Sequence, residues 1–191
     1  PHPVIRDCDV CLVGSEMCIR DSLEAILDAG EPHGITPYGV EAPMVLRTEK
    51  GYLHVGSDTD GSSTPDDVGW GAVARSKPGD YIGKRSLFRA ANLDADRKQF
   101  VGLEPSDPGQ DIRPGGHLLL GENRQPPAET AGWVTSACYS PNLGRHIALG
   151  VLRGGRQRVD EILTVCDENL RFNVKVVSPV FYDPGNERLR D

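Results

Sequence analysis

The chemistry of this chain centres on one acidic residue that follows a short helical pattern. Residues 46–52 read LRTEKGY, so Glu49 comes just before Gly51, and glycine is the residue type that commonly ends helices. A carboxylate held there can accept two parallel N–H bonds from a planar heterocycle that carries a ring N–H beside an exocyclic amine. An acidic residue at the end of a helix is more often solvated, so this spacing alone leaves both interpretations open.

Other motif-like strings are weaker evidence for a binding or catalytic site. Residues 69–74 match G-x-G-x-x-A, but two aspartates precede them and a proline follows, so the strand and helix of a dinucleotide site are missing. Residues 58–61 resemble the start of a calcium loop that lacks its distal glutamate, and a hairpin turn with Gly61 at positive φ is the better interpretation. The five histidines are scattered. We therefore predict no metal site and no nucleophilic catalysis.

The composition is that of an ordinary globular protein. Of the 191 residues, 38% are hydrophobic and 26% are charged, and no run approaches the length of a transmembrane helix. The formal net charge is -7, whereas a surface that follows nucleic-acid phosphates is normally basic. The sequence thus predicts neither a membrane nor a nucleic-acid partner.

The first 22 residues differ from the rest. Residues 11–22 read CLVGSEMCIRDS, which looks like a translated transposase sequencing adapter, so we predict that 1–22 is a non-native leader. Cys8, Cys11 and Cys18 therefore do not count as a metal half-site. We expect Cys138 and Cys166 to be small buried hydrophobic residues, which suits a reducing compartment and predicts a cytoplasmic location.

The remaining chain predicts an α+β fold that changes character near Arg97. Residues 23–29 and 39–50 have helical patterns that end at Gly30 and Gly51, and residues 81–88 begin another short helix. Six strands follow, with prolines between them, and predict a small barrel or sandwich of about 90 residues. The strands are 99–103, 117–120, 133–139, 146–152, 161–165 and 172–177. The predicted segments are 1–22, 23–96 and 97–191.

Two blocks resemble the folate-binding aminomethyltransferase family. The first runs from Pro32 to Gly51, and the second from Gly132 to Leu149. The family includes glycine-cleavage T-proteins, dimethylglycine dehydrogenases and the α subunits of heterotetrameric sarcosine oxidases. The resemblance implies the C-terminal piece of a folate-binding domain, followed by an antiparallel β-barrel.

Within this family the sarcosine oxidase α subunits are most similar, through residues 64–67, 83–87 and 178–184. The resemblance implies oxidative demethylation of sarcosine with transfer of the one-carbon unit to tetrahydrofolate. Other sarcosine oxidase subunits are the implied partners, and NAD and flavin belong to the complete complex. An alternative is a T-protein, which takes its aminomethyl group from a lipoyl carrier. The tail at 181–184 resembles the sarcosine oxidase type and argues against this alternative. Another alternative is that the barrel serves as a docking module in a multisubunit assembly and that folate binding has been lost.

The resemblance also assigns candidate cofactor-binding residues. Glu49 matches the family glutamate that pairs with the pterin edge. Arg75 is a candidate for binding an anionic part of the folate, such as the glutamyl carboxylates. The alternative is that Arg75 is solvated. Tyr52 could line the ring or pack under the loop, and we favour packing. The family's catalytic aspartate lies upstream, so we expect no catalytic residue here and no turnover by this chain alone.

Overall fold

The structure is a computed structural model that describes residues 16–120, 128–168, 170–188 and 190. Its chain divides into two compact units, residues 1–39 and 40–191. In the first unit, helix α1 (Glu16–Gly30) continues into a 3-10 turn, Glu31–His33. This confirms the helical pattern at 23–29, although α1 begins earlier and crosses residue 22. The origin of 1–22 and the domain boundaries stay predictions.

Short helices precede the strands of the second unit. They are α2 (Glu41–Lys50), α3 (Gly71–Ser76) and α4 (Ala90–Leu93), with a 3-10 turn at Lys84–Phe88. Gly51 ends α2 as predicted, with φ 68°, and the N–H of Tyr52 reaches back to the carbonyl of Arg47 at 2.8 Å. Because glycine adopts this left-handed conformation without strain, α2 ends sharply there.

Six antiparallel strands form a closed barrel in the order β1-β4-β3-β2-β5-β6. Closure pairs every strand on both sides and leaves no open edge. The structure confirms all six predicted strands and the antiparallel β-barrel that the family resemblance implies; the sandwich is wrong. The strands are β1 (Lys98–Pro105), β2 (His117–Leu119), β3 (Thr130–Ser140), β4 (Arg145–Arg153), β5 (Ile162–Asp167) and β6 (Leu170–Val177).

Branched aliphatic side chains fill the barrel. They come from every strand, because alternate residues of a strand face inward. Gly132 of β3 has no room for a side chain, since a Cβ there would collide with the backbone of Val151. The fully buried aliphatic residues of this core include Leu103, Leu118, Leu152, Val165, Val174 and Val176.

The structure departs from the sequence predictions at two places. Gly61 does not have a positive φ; the turn forms instead because the Asp60 carboxylate accepts the N–H and hydroxyl of Ser62 at 2.8 and 2.7 Å. Cys138 and Cys166 are only partly buried. Cys8 and Cys11 lie outside the described residues. Across the part of the chain that the structure describes, no helix is both long and apolar enough to cross a membrane.

Candidate functional site

Glu49 is buried where α2 meets the barrel. Only 1% of the residue is exposed. Its Oε1 accepts the hydroxyl of Ser140 at 2.5 Å, and its Oε2 accepts the side-chain amide of Asn142 at 2.7 Å. Ser140 is the last residue of β3, and Asn142 lies in the turn that leads to β4. The carboxylate is therefore held by the protein, and the solvated interpretation of Glu49 is wrong.

The C-terminal tail fixes the backbone of the same residue. The N–H groups of Phe181 and Tyr182 donate to the carbonyl of Glu49 at 2.9 and 3.0 Å. Next to it, Lys50 Nζ donates to Asp183 Oδ2 at 2.9 Å. That hydrogen bond lowers the pKa of the Asp183 carboxyl below its ordinary value. Barrel turn and tail thus hold Glu49 by its side chain and by its backbone.

A second buried charge network docks α2 on β3. Arg47 donates to Asp58 Oδ2 at 2.7 Å and to the hydroxyl of Ser136 at 2.6 Å. Ser136 in turn donates to Asp58 Oδ1 at 2.8 Å, and Thr135 donates to the same oxygen. The side chain of Asp58 is fully buried. Because a buried charge needs partners, this network fixes the loop after α2 against the barrel.

Arg75 lies on α3 and is paired within the chain. Its Nη1 donates to both carboxylate oxygens of Asp66, at 2.6 and 2.5 Å. Its side chain is about a third exposed, so the guanidinium is partly accessible while its charge is neutralised. The structure therefore places Arg75 in an ion pair, and its role towards a ligand stays a prediction.

Tyr52 directly follows the glycine that ends α2. The residue is 56% exposed, so packing covers less than half of its surface. Sequence position brings Tyr52 close to Glu49, whereas no hydrogen bond or ion pair of the described residues joins Arg75 to either of them. The ligand role of Tyr52 stays a prediction.

A cleft of about 440 Å³ opens beside the barrel, and none of the three predicted site residues lines it. Its walls are the loop at 56–68 and residues of β1, β3 and β4. Lys98 Nζ lies 4.3 Å from the ring centroid of Trp133, and Asp67 bonds Arg97 at 2.7 and 2.9 Å. Asp67 and Arg97 in the wall of this cleft thus neutralise each other.

Two family models match most of the chain. Residues 98–183 match the glycine cleavage T-protein C-terminal barrel domain, and residues 13–77 match the GCVT N-terminal domain. The chain belongs to the glycine cleavage T-protein family. The barrel match begins at Lys98, the first residue of β1, and covers all six strands completely.

Relatives within the T-protein family include oxidases and aminomethyltransferases. The chain is 40% identical over 168 residues to sarcosine oxidase subunit alpha of Rhizobium meliloti (strain 1021), covering 87% of this chain and 17% of that protein. It is also 40% identical over 167 residues to the subunit of the same name from Corynebacterium sp. (strain U-96). An aminomethyltransferase of Bacillus licheniformis is 33% identical over 158 residues, which is 41% of its length. The chain thus spans a small part of its sarcosine oxidase relatives.

A solved structure shares the fold of this family member. The glycine cleavage system aminomethyltransferase T from Bartonella henselae matches with a TM-score of 0.67 at 21% identity. The match covers 87% of this chain and 44% of that one. At this identity the likeness shows the fold alone.

Sequence reasoning missed the partners of Glu49. Ser140 and Asn142 lie within a block that carries the T-protein resemblance, but nothing local to them indicates a contact with α2. The bond between Ser140 and Glu49 joins residues 91 positions apart. A polar pair at the turn between two predicted strands was the one available signal, and such pairs usually serve the turn itself.

Proposed function

We propose that this chain is part of a tetrahydrofolate-dependent one-carbon-transfer enzyme of the sarcosine oxidase α-subunit type. The complete enzyme oxidises sarcosine to glycine and transfers the one-carbon unit to tetrahydrofolate. The 40% identity to the Rhizobium meliloti subunit supports this over a T-protein, because three aminomethyltransferase relatives are 30–36% identical. NAD, flavin and the other oxidase subunits belong, in this proposal, to the rest of the complex.

The observation that carries the proposal is the buried carboxylate of Glu49, which accepts one hydrogen bond on each oxygen. An ionised carboxylate offers only acceptors, with about four lone-pair sites on its two oxygens. Ser140 and Asn142 take one site on each oxygen. No further donor among the described residues reaches either oxygen, which leaves one site on each for two parallel donors such as the ring N–H and the amine of a reduced pterin. The donor and acceptor chemistry of the site therefore fits the cofactor.

Each residue has a defined task in this proposal. Tetrahydrofolate, when bound, supplies the nitrogens that receive the one-carbon unit. Glu49 orients the pterin edge, and its burial strengthens that contact by excluding water. Because Glu49 is only 1% exposed, the ligand must displace covering atoms to reach it. Arg75 exchanges Asp66 for the glutamyl carboxylates, and the exposed ring of Tyr52 lies beside the pterin.

A second candidate function is a docking barrel in a multisubunit oxidase, with folate binding lost. The observation that favours it is that Glu49 and Arg75 already have partners inside the chain. A site that is satisfied without ligand can serve as a structural joint between α2 and the barrel. The two functions differ in whether tetrahydrofolate binds at all.

Titration calorimetry distinguishes the two functions. Tetrahydrofolate and 6-methyltetrahydropterin, which lacks the glutamyl carboxylates, are titrated into two proteins. One is the 191-residue chain, and the other is the same chain joined behind the upstream region of the Rhizobium meliloti relative. We expect Glu49→Gln to weaken the binding of both ligands. We expect Arg75→Ala to weaken only tetrahydrofolate.

Arg113→Ala is the matched control for Arg75→Ala. Arg113 also pairs with an aspartate, but its side chain is 66% exposed and lies far along the chain from α3. It should leave both affinities unchanged. If neither protein binds either ligand, the folate function is rejected and the docking barrel is favoured. If Arg75→Ala weakens both ligands equally, Arg75 does not contact the glutamyl group.

A further inference from the structure

The cleft beside the barrel has the size of a ligand site and two chemically different walls. Its volume of about 440 Å³ lies within the range of sites for small organic molecules. The barrel wall contributes Phe100, the half-buried ring of Trp133 and Val151. The loop wall contributes the hydroxyl-bearing residues of 57–63. A small molecule with an apolar part and polar groups therefore suits the cleft.

Lys98 supplies a positive charge to the barrel wall. Its ammonium lies over the ring of Trp133, and among the described residues it takes part in no ion pair or hydrogen bond. The ring attracts the ammonium through its quadrupole, but it carries no negative charge that would neutralise it. The neighbouring cation, Arg97, is bound to both oxygens of Asp67. Lys98 is thus the cation of this wall that can take an anionic group of a ligand.

Asp60 supplies a negative charge to the loop wall. Its Oδ1 accepts the N–H and the hydroxyl of Ser62 and the hydroxyl of Ser63, at 2.8, 2.7 and 3.3 Å. The hydrogen bonds from Ser62 lower the pKa of the Asp60 carboxyl below its ordinary value, so the group is ionised at neutral pH. No donor among the described residues reaches Oδ2. The other acids of this wall, Asp58 and Asp67, are each paired with an arginine.

We propose that the cleft binds a small zwitterion, an ω-amino acid whose carboxylate meets Lys98 and whose ammonium group meets Asp60. Such a ligand matches both wall charges, whereas a purely anionic ligand would face Asp60 and a purely cationic one would face Lys98. The two wall charges belong to different walls, so several carbons separate the acid and the amine. These carbons cover the apolar wall at Trp133 and displace water from it.

This site is independent of the candidate folate residues. Glu49, Tyr52 and Arg75 do not line the cleft, so neither proposal depends on the other.

Tryptophan NMR tests the proposal at the site itself. The chain has two tryptophans, Trp133 in the cleft and Trp70, which does not line it and is 61% exposed. γ-Aminobutanoate and ε-aminohexanoate are titrated into the nitrogen-15-labelled 191-residue chain, and Trp70→Phe assigns the two indole resonances. We expect an amino acid to move the resonance of Trp133 and to leave that of Trp70 in place.

Two further probes carry one charge each. Butanoate keeps only the acid, and butylammonium keeps only the amine. Each should bind about tenfold more weakly than the better amino acid, because each lacks one charge-assisted hydrogen bond.

Two substitutions remove one wall charge at a time. Lys98→Met keeps an unbranched side chain for the ring of the neighbouring tryptophan, and Asp60→Asn keeps an oxygen that can accept the same loop donors. Each should weaken the amino acid about tenfold. Lys98→Met should not weaken butylammonium, and Asp60→Asn should not weaken butanoate. The matched controls are Lys77→Met, whose ammonium lies 5.8 Å from the ring centroid of Tyr81, and Asp80→Asn at an exposed position. Both should leave every affinity unchanged.

Three results would overturn the proposal. The first is that neither amino acid moves the resonance of Trp133. The second is that butanoate or butylammonium binds as tightly as the better amino acid, which would reject the zwitterion. The third is that Lys98→Met and Asp60→Asn leave the affinity for the amino acid unchanged, which would place the ligand elsewhere. None of these results affects the folate titration, which depends on Glu49.

Discussion

Ser140 donates its hydroxyl proton to Oε1 of Glu49 at 2.5 Å, which joins the end of β3 to the end of α2. Because of this contact, the position of the Glu49 carboxylate depends on the barrel as well as on α2. Substitutions at the end of β3 and in the turn after it should therefore change the orientation of the Glu49 side chain. The following predictions test this connection and the contacts around it.

Replacing Glu49 separates its two roles. Glu49→Ala should weaken tetrahydrofolate binding by about 1–3 kcal/mol, the cost of leaving polar groups unpaired. It should also lower the free energy of unfolding, because the buried hydroxyl of Ser140 loses its acceptor. Glu49→Gln keeps one acceptor and should unfold closer to wild type. Calorimetry and urea denaturation measure the two effects; an unchanged affinity would remove Glu49 from the site.

Removing Asp58 should destabilise the protein strongly. Asp58→Ala leaves Arg47 buried without its carboxylate, and breaking such a pair costs about 3–5 kcal/mol. Arg113→Ala breaks an exposed pair and should cost less than about 1 kcal/mol. Urea denaturation of both variants measures the difference. Similar small losses would mean that the Arg47–Asp58 network adds little to stability.

Gly51 should tolerate no side chain. Gly51→Ala must adopt φ 68°, and its Cβ would collide with the carbonyl oxygen of Pro179 in the tail. Gly144→Ala is the control, since Gly144 has φ 65° with open space around it. The left-handed conformation alone costs about 1–2 kcal/mol, so Gly51→Ala should lose more than Gly144→Ala by thermal denaturation. Equal losses would contradict a tight contact with the tail.

The pair of Asp67 and Arg97 should make the protein sensitive to acid. Burial opposes ionisation of Asp67, but hydrogen bonds from Arg97 and Thr64 outweigh it and lower the pKa of this carboxyl from its ordinary value of 3.8. A lowered pKa stabilises the fold above that ordinary value, and the contribution is lost as the pH falls through the folded-state pKa. The free energy of unfolding should therefore decrease as the pH falls below 3.8.

Asp67→Asn identifies the source of that acid sensitivity. The variant should be less stable at neutral pH and should lose less stability on acidification than the wild type. Asp80→Asn, at an exposed position, should follow the wild-type curve. Urea denaturation at pH values between about 2 and about 7 measures the free energy of unfolding of the three proteins. Parallel curves for Asp67→Asn and wild type would assign the sensitivity to other groups.

Local patterns predicted most of the regular structure. The end of α2 at Gly51 follows from the freedom of glycine at positive φ, which acts within a few residues. The six strands follow from alternating apolar residues between prolines and turns, which is also local. At Gly61 the same logic was wrong, because the Asp60 side chain closed the turn without a left-handed glycine.

The sequence by itself determined the family, the elements and the position of Glu49 at the end of a helix. Only the tertiary structure decided which strands pair in the closed barrel, that Glu49 is bonded to Ser140 and Asn142, and that Arg75 is paired with Asp66. The physical reason is the separation along the chain of the residues that determine each feature. Helix ends and strand patterns depend on neighbours along the chain, whereas the partners of a buried charge depend on which distant segments the closed barrel brings together.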